Sequence, residues 1–227
     1  MAQKRPWRDP AANYISTRPG EHNFSSESSF NQAIKWLDDC IKSHTGCHPN
    51  PKITPMMPSR LIDVSITEAG GRVRIVDTEG VQTRYAALKY CRGQITEDQK
   101  LQLSNHTAWT SQGVFLDQLS RTIHDAVTVA RGLKLSYLWV DTLCIIQDYD
   151  KDKEKELKHM HSVYENSFVI ISVIARDGSE GFLDMQHGPI TTIPYPLPNG
   201  QIGIRELEIV LFFNPDLSKI ELRAGML

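Results

Sequence analysis

The sequence lacks an excess of charge of either sign. It contains 25 Lys and Arg residues against 27 Asp and Glu residues, so the formal net charge of the 227-residue chain is −2. A protein that holds nucleic acid or an anionic membrane surface mainly by charge needs a basic excess to neutralise phosphates. We therefore expect no nucleic-acid partner.

The sequence also lacks long hydrophobic runs and a dense set of cysteines. No stretch approaches the ~18 apolar residues that a membrane-spanning helix needs, and no apolar segment follows the charged residues 1–7. The four cysteines are scattered and do not form the pattern of a disulfide framework. We expect no membrane span, a cytoplasmic location and cysteines that remain thiols.

Composition divides the chain into three regions. Residues 1–29 are rich in Pro, Ser, Arg and Asn without hydrophobic periodicity, which predicts a disordered lead-in. Residues 30–59 combine a helix over 30–43 with a Pro-rich linker. Residues 60–227 are long enough to form one domain, for which we predict a core at 60–183.

The core region alternates between strand and helix patterns. Short apolar stretches predict strands at 61–66, 72–76, 83–90, 137–140 and 168–175. Apolar residues at helical spacing predict helices at 115–131, capped by Gly132, and at 151–165. This alternation is typical of parallel crossovers and predicts an α/β fold: a mainly parallel sheet flanked by helices, with an N-terminal helix and a small antiparallel extension. Beyond Gly181 the signal weakens, and only 204–213 is strand-like.

Two loops follow predicted strands at the sheet edge where ligands bind in such folds. They are Cys91–Gln94 and Asp141–Asp148, and we expect them to lie at the same edge. Asp141 follows a buried strand, so its carboxylate would be partly desolvated and needs hydrogen-bond partners or a functional role. Position alone favours the alternative that Asp141 and Asp148 cap the following turns and helix.

Glu156 is the candidate acid on the second predicted helix. It lies next to Leu157, on the flank of the apolar stripe, and from there it can lean toward the Asp141 loop. Asp152 is predicted to face further outward. Spacing alone favours an ordinary solvated glutamate that pairs with Lys153.

The sequence also bears on a zinc site and on a dinucleotide-binding site. Cys40 and His44 lie one helical turn apart and Cys47 follows, which makes zinc geometrically conceivable. Without a second Cys-x2-Cys pair, packed thiols are the favoured interpretation. No Gly-x-Gly-x-x-Gly or Gly-x4-Gly-Lys-Ser/Thr motif occurs, so a dinucleotide would not be held in the Rossmann or P-loop manner.

Several blocks of the sequence resemble the fungal heterokaryon-incompatibility (HET) domain family. The segment at 137–148, Tyr-Leu-Trp-Val-Asp-Thr-Leu-Cys-Ile-Ile-Gln-Asp, closely resembles the central signature Tyr-Leu-Trp-Ile-Asp-Ser-Leu-Cys-Ile-Ile-Gln-Asp. Residues 85–93 resemble the block Tyr-x-Ala-Leu-Ser-Tyr-Cys-Trp-Gly, and 156–166 resemble the block that joins Glu-x-x-x-Met to Tyr-x-Asn. With the leader strand at 60–64 and the helix before it, the resemblance spans about Ile34 to Leu183.

The sequence departs from the family pattern in three places. Lys89 stands where the family has Ser and Arg92 where it has Trp, which adds two cations to a loop that is normally neutral. Lys153 replaces a Trp shortly before the glutamate. The segment Arg223–Leu227 lacks the Trp of the family's Arg-x-Trp-x-x-Gln-Glu motif, so we expect either a truncated C-terminal part or a degenerate copy of the domain.

The resemblance implies a fold similar to TIR and flavodoxin-like domains, and a role in allorecognition, innate immunity and programmed cell death. Some TIR domains hydrolyse NAD with one glutamate, and the matching residue here is Glu156. A carboxylate can stabilise the oxocarbenium-like ribosyl centre that forms when nicotinamide leaves. NAD would then be a substrate, and no cofactor is expected. The residues predicted to bind the ligand are Tyr90, Arg92, Gly93, Asp141, Cys144, Gln147 and Asp148.

The alternative is a non-enzymatic module that signals by self-association or with another incompatibility protein. Lys89 and Arg92 favour weak or absent catalysis in this chain, although both cations can also bind a pyrophosphate.

Overall fold

The fold is described by a computed structural model, which covers residues 24–44, 55–66, 71–79, 81–93, 95–173, 179, 181–183, 190–208, 210–211 and 222–223. The chain divides into two compact units: one is Asn23–Asp184, and the other combines Met1–His22 with Met185–Leu227. Among the described residues, no helix has the length and apolar character that crossing a membrane requires.

The first unit contains the helices and the main sheet. Its helices are α1 (Glu27–Ser43), α2 (Leu103–Ser111), α3 (Arg121–Gly132), α4 (Asp141–Cys144) and α5 (Asp150–Glu165). Its strands are β1 (Arg60–Asp63), β2 (Arg72–Asp77), β3 (Ala86–Lys89), β4 (Val114–Phe115), β5 (Tyr137–Trp139) and β6 (Val169–Ser172). Helix α1 begins before the predicted Phe30, because the Ser26 side chain accepts the Ser29 N–H and caps it.

The six strands form one mixed sheet in the order β4-β2-β1-β5-β3-β6. Strand β3 runs parallel to both neighbours, pairing Ala86 with Leu138 on one side and with Val169 on the other. Strands β1, β2 and β4 pair in the antiparallel sense. The α/β prediction is therefore confirmed, whereas the predicted mainly parallel sheet is corrected to a mixed one.

Connection length explains where the sheet changes direction. Long connections that contain α3 and α5 join β3 to β5 and β5 to β6, and parallel neighbours need such crossovers. A short connection joins β1 to β2, so these strands turn back on each other. The third predicted strand does not continue that meander, because β3 pairs between β5 and β6 instead.

Helix α3 covers the sheet with the apolar stripe that its sequence predicts. Ile123, Val127 and Ala130 are fully buried in the core. The helix begins at Arg121, not at the predicted residue 115, because 114–115 form β4 and a short 3-10 turn follows.

The end of α3 differs from its prediction in a physically clear way. Gly132 lies inside the helix, where a Cβ would come within 2.6 Å of the Phe30 ring of α1. Lys134, with φ of 60°, takes the left-handed conformation that closes the helix. Its N–H bonds to Arg131, and the next N–H, that of Leu135, reaches back to Ala130. Gly132 therefore permits helix packing, and Lys134 occupies the capping position.

Helix α2 was not predicted. Its sequence, Leu-Ser-Asn-His-Thr-Ala-Trp-Thr-Ser, has no apolar stripe and buries no residue completely. It is held by side chains at its start, where Asn105 caps the Gln102 N–H and Asp148 accepts the Leu103 N–H. Only Trp109 packs partly against the core.

In the second unit, β7 (Ile190–Pro196) and β8 (Ile202–Glu208) form an antiparallel hairpin. Strand β8 overlaps the predicted strand at 204–213. Strand β7 was not predicted, because its sequence contains prolines. Proline is tolerated in a two-stranded ribbon because each strand has a free edge. A second short pair joins β9 (Val210–Leu211) to β10 (Leu222–Arg223).

Candidate functional site

The two predicted loops lie at the same edge of the sheet, beyond the carboxyl ends of β3 and β5. The Arg92 guanidinium donates to Asp141 Oδ2 through Nε at 2.9 Å and Nη2 at 2.6 Å. The phenol of Tyr90 lies 3.0 Å from Thr142 Oγ1. We call Tyr90, Arg92, Asp141 and Thr142 the edge cluster. Gly93, also in this loop, has φ of 59°, and Gln94 lies outside the described residues.

Burial shapes the electrostatics of the edge cluster. The Asp141 side chain is 15% exposed and the Arg92 side chain 42% exposed, so the ion pair faces solvent from the arginine side. Burial, and then the negative charge of Asp141, raise the pKa of Tyr90 above its usual range. The same two causes raise the pKa of Tyr164, whose phenol donates to the Leu88 carbonyl. Both phenols therefore stay protonated and neutral.

The remaining ligand-binding candidates in 141–148 hold the loop in shape. Gln147 donates from its amide to the carbonyls of Asp141 and Ile145, at 3.0 and 2.9 Å. Asp148 accepts the Leu103 N–H at 2.9 Å, so it caps α2 and not the helix that follows it. Asp141 Oδ1 accepts the Thr142 N–H at 2.7 Å, which combines a local cap with the ion pair to Arg92.

Cys144 lies in the core beneath the loop. Its side chain is fully buried, and the Val140 N–H approaches its sulfur at 3.5 Å. Burial raises the pKa of this thiol to about 12. It is therefore an inert packed thiol at neutral pH, on the interior side of the loop that carries Asp141.

A second polar cluster braces the loop from behind. Arg60 donates from Nε to the Cys144 carbonyl at 2.9 Å and from Nη2 to Asp152. Asp152 Oδ2 also accepts the Ile146 N–H at 2.8 Å. Ser59 donates from Oγ to Glu156 Oε1 at 2.5 Å. We call Ser59, Arg60, Asp152 and Glu156 the bracing cluster, since it ties the start of β1 and α5 to the loop between them.

The place of Glu156 differs from both sequence-based alternatives. Its side chain is 3% exposed, so it is not a solvated glutamate paired with Lys153, whose amine lies near Asp150. Leu157, predicted to lie on the buried stripe, is 54% exposed. Asp152, predicted to face outward, packs against Arg60 with its side chain only 10% exposed. The buried residues of α5 are Glu156 and Val163, whereas Met160 and Tyr164 of the apolar stripe pack partly buried against the core.

Sequence reasoning missed Ser59, Arg60 and Asp152. The sequence places Arg60 only in the leader strand, because its partner Asp152 on α5 is 92 positions away. The available signal was that Asp152 and Glu156 are spaced four apart, as residues on one helix face are. That spacing says nothing about which remote cation faces them.

The described part of the chain contains no group of three or more His, Cys, Asp or Glu placed to hold a metal ion. Cys40 lies in α1 and His44 caps its end, whereas Cys47 lies outside the described residues. The expectation of packed thiols, with zinc as its alternative, therefore stays a prediction.

The arrangement suits binding more directly than bond cleavage. Asp141 occupies Nε and Nη2 of Arg92, and the exposed guanidinium can still donate from Nη1 to an approaching carboxylate or phosphate. The Glu156 carboxylate, in contrast, is enclosed and already accepts the Ser59 hydroxyl.

Comparison with known proteins finds one similarity. Residues 85–193 match the family model described as Heterokaryon incompatibility protein (HET). The match supports a heterokaryon-incompatibility domain over this segment, which includes the whole edge cluster and Glu156. Neither a curated protein nor a solved structure matches the chain.

Proposed function

We propose that this chain is a HET-type signalling module of fungal allorecognition, which promotes programmed cell death by binding and does not itself hydrolyse NAD. The observation that carries the proposal is the enclosure of Glu156, which is 3% exposed and held by Ser59. A carboxylate that stabilises an oxocarbenium-like centre must reach the reacting sugar. Here the carboxylate supports the fold instead.

Binding takes place at the edge cluster. Arg92 presents the exposed cation there, and Asp141 fixes its orientation through two hydrogen bonds to one oxygen. The partner is a second copy of this chain or another incompatibility protein, whose acidic group meets Arg92. The module acts in the cytoplasm and needs no cofactor.

Three measurements on the full chain test this proposal. Incubation with NAD is expected to release no nicotinamide, while light scattering is expected to show association beyond the monomer or with the partner. Overexpression is expected to be toxic, and Arg92→Ala should reduce the toxicity. Arg72→Ala is the matched control, because Arg72 is a half-buried arginine of the same unit that lies over Phe115, away from the edge cluster. Nicotinamide release would overturn the proposal.

NAD cleavage is the second candidate function, and one observation favours it. Ser59, the partner of Glu156, precedes β1, which runs antiparallel to β5, so Glu156 lies at the same edge of the sheet as Asp141. A substrate would have to displace Ser59 to reach Glu156. If this candidate is correct, Glu156→Gln keeps the fold but lowers nicotinamide release by about two to three orders of magnitude. A variant as toxic as its parent, with no nicotinamide released by either, would leave the binding proposal as the better one.

A further inference from the structure

A groove of about 430 Å³ lies at the edge of the sheet where the parallel strands begin, opposite to the edge that carries the edge cluster. Helix α1 forms its other wall. Arg84 precedes β3, Ser136 precedes β5 and Phe168 precedes β6. Leu37 and Asp38 face the groove from α1. We call this cavity the α1 groove. Its volume lies within the range of pockets that hold small ligands.

The α1 groove contains two cations that form no ion pair with a described carboxylate. Arg84 and Lys134 both line it, and neither forms an ion pair with any described carboxylate. Asp38 supplies the one carboxylate of the lining. Two cations against one acid leave the groove with a positive balance, which favours an anionic ligand.

Lys134 is held in an unfavourable backbone conformation. It is the one non-glycine residue with positive φ in the described part of the chain, at 60°. Glycine is the usual residue at this capping position, because a side chain there is strained. A long cationic side chain in a strained backbone conformation, beside a second cation, points to a role that glycine cannot fill.

The floor of the α1 groove is apolar. The Arg84 guanidinium lies 4.8 Å above the Phe168 ring, which orients the cation by a cation–π contact. Leu37 and Leu133 add aliphatic surface. Helix α1 contributes this wall without burying any of its own residues completely, so space remains between the helix and the strands.

We propose that the α1 groove binds a small organic anion, with its charged group between Arg84 and Lys134 and its apolar body against Leu37 and Phe168. The ligand class is an aromatic or aliphatic molecule that carries one carboxylate or sulfonate. This site is separate from the edge cluster, and its occupation would join α1 to the strands of the core.

A pair of fluorescent probes tests the proposal on the full chain. 8-Anilinonaphthalene-1-sulfonate carries the required anion on an apolar body, and N-phenyl-1-naphthylamine has a similar body without charge. Arg84→Gln and Lys134→Asn each remove one cation, and asparagine tolerates positive φ. We expect each variant to raise the Kd of the sulfonate by about fivefold, as the loss of one exposed ion pair predicts. The Kd of the neutral probe should change by less than about twofold.

Arg72→Gln is the matched control, because its guanidinium also lies over an aromatic ring, 4.0 Å above Phe115. It should bind both probes like the parent. Lys134→Asn should melt no lower than the parent, which separates lost binding from lost folding. Unchanged sulfonate binding in both groove variants, or an equal loss in Arg72→Gln, would overturn the proposal.

Discussion

Two arginine–aspartate pairs flank the same loop, in very different surroundings. Arg60 and Asp152 lie behind the loop with side chains 8% and 10% exposed, whereas Arg92 and Asp141 lie in front with side chains 42% and 15% exposed. The chemistry of the two pairs is the same, but water screens only the outer one. The inner pair is therefore fixed by the fold, and the outer arginine remains available to a partner.

The inner pair also shows why an acid at the expected place need not be catalytic. Glu156 shares its helix face with Asp152, and both carboxylates accept hydrogen bonds from the segment that begins β1. A buried carboxylate needs such partners before it can be accommodated in a core. Its burial is thus accounted for by bracing, without a bound substrate.

The largest expected difference between the pairs is in stability. Arg60→Met leaves Asp152 buried without its cation and should lower the free energy of unfolding by about 3–5 kcal/mol. Arg92→Met should lower it by less than about 1 kcal/mol, because that pair is exposed. Urea unfolding of both variants measures the contrast. The double variant Arg60→Met/Asp152→Asn should recover part of the loss. Similar losses in Arg60→Met and Arg92→Met would mean that burial does not separate the stability contributions of the two pairs.

The next effect separates charge from hydrogen bonding at Glu156. Glu156→Ala leaves the Ser59 hydroxyl without its acceptor and should lower the free energy of unfolding by about 2 kcal/mol. Glu156→Gln keeps an acceptor of nearly the same shape and should stay within about 1 kcal/mol of the parent. Thermal and urea unfolding provide the measurement. A glutamine variant as unstable as the alanine variant would mean that the charge itself stabilises the fold.

A third effect appears only at alkaline pH, under the loop. Burial raises the pKa of Cys144 from 9.0 to about 12, so the folded state keeps a thiol proton that the unfolded chain releases. The resulting stability is complete below pH ~9 and is lost as pH rises toward ~12, by about 1.4 kcal/mol per unit. Between pH 9 and 10, before the tyrosines contribute, Cys144→Ala should lose stability less steeply than the parent. Parallel pH profiles would contradict the assignment.

The sequence predicts the elements with strong local periodicity and misses those that depend on remote partners. The stripe on α3 and the positions of β5 and β6 follow from apolar spacing alone, as does the shared edge of the two loops. The buried face of α5 does not follow from apolar spacing, because Leu157 lies at an apolar-stripe position and is nevertheless exposed. Asp152 faces inward because it accepts a hydrogen bond from Arg60, which is 92 positions away. Helix α2 lacks any apolar stripe and is held by Asp148, which local patterns could not reveal.

Some features of the candidate site were also predictable from the sequence, and others depend on tertiary packing. The pairing of Arg92 with Asp141 agrees with the prediction that the two loops share an edge, and it needed only strand order. The burial of Cys144 and Glu156 required the packing of β1 and α5 on the loop. The direction of the sheet also needed the tertiary fold, since nothing in 83–90 shows that β3 leaves the antiparallel meander.

The smallest effect concerns salt, and it tests whether the outer pair is screened. At low ionic strength Asp141→Asn should lower the free energy of unfolding by a few tenths of a kcal/mol, up to about 1 kcal/mol, through the loss of the Arg92 contact. At 1 M salt the screening length falls to about 3 Å, so this difference from the parent should nearly vanish. The loss in Arg60→Met should persist, because salt does not reach a pair whose side chains are 8% and 10% exposed. Urea titrations at both salt concentrations measure the four values, and an Asp141→Asn loss that survives 1 M salt would mean that the outer pair is as much a part of the fold as the inner one.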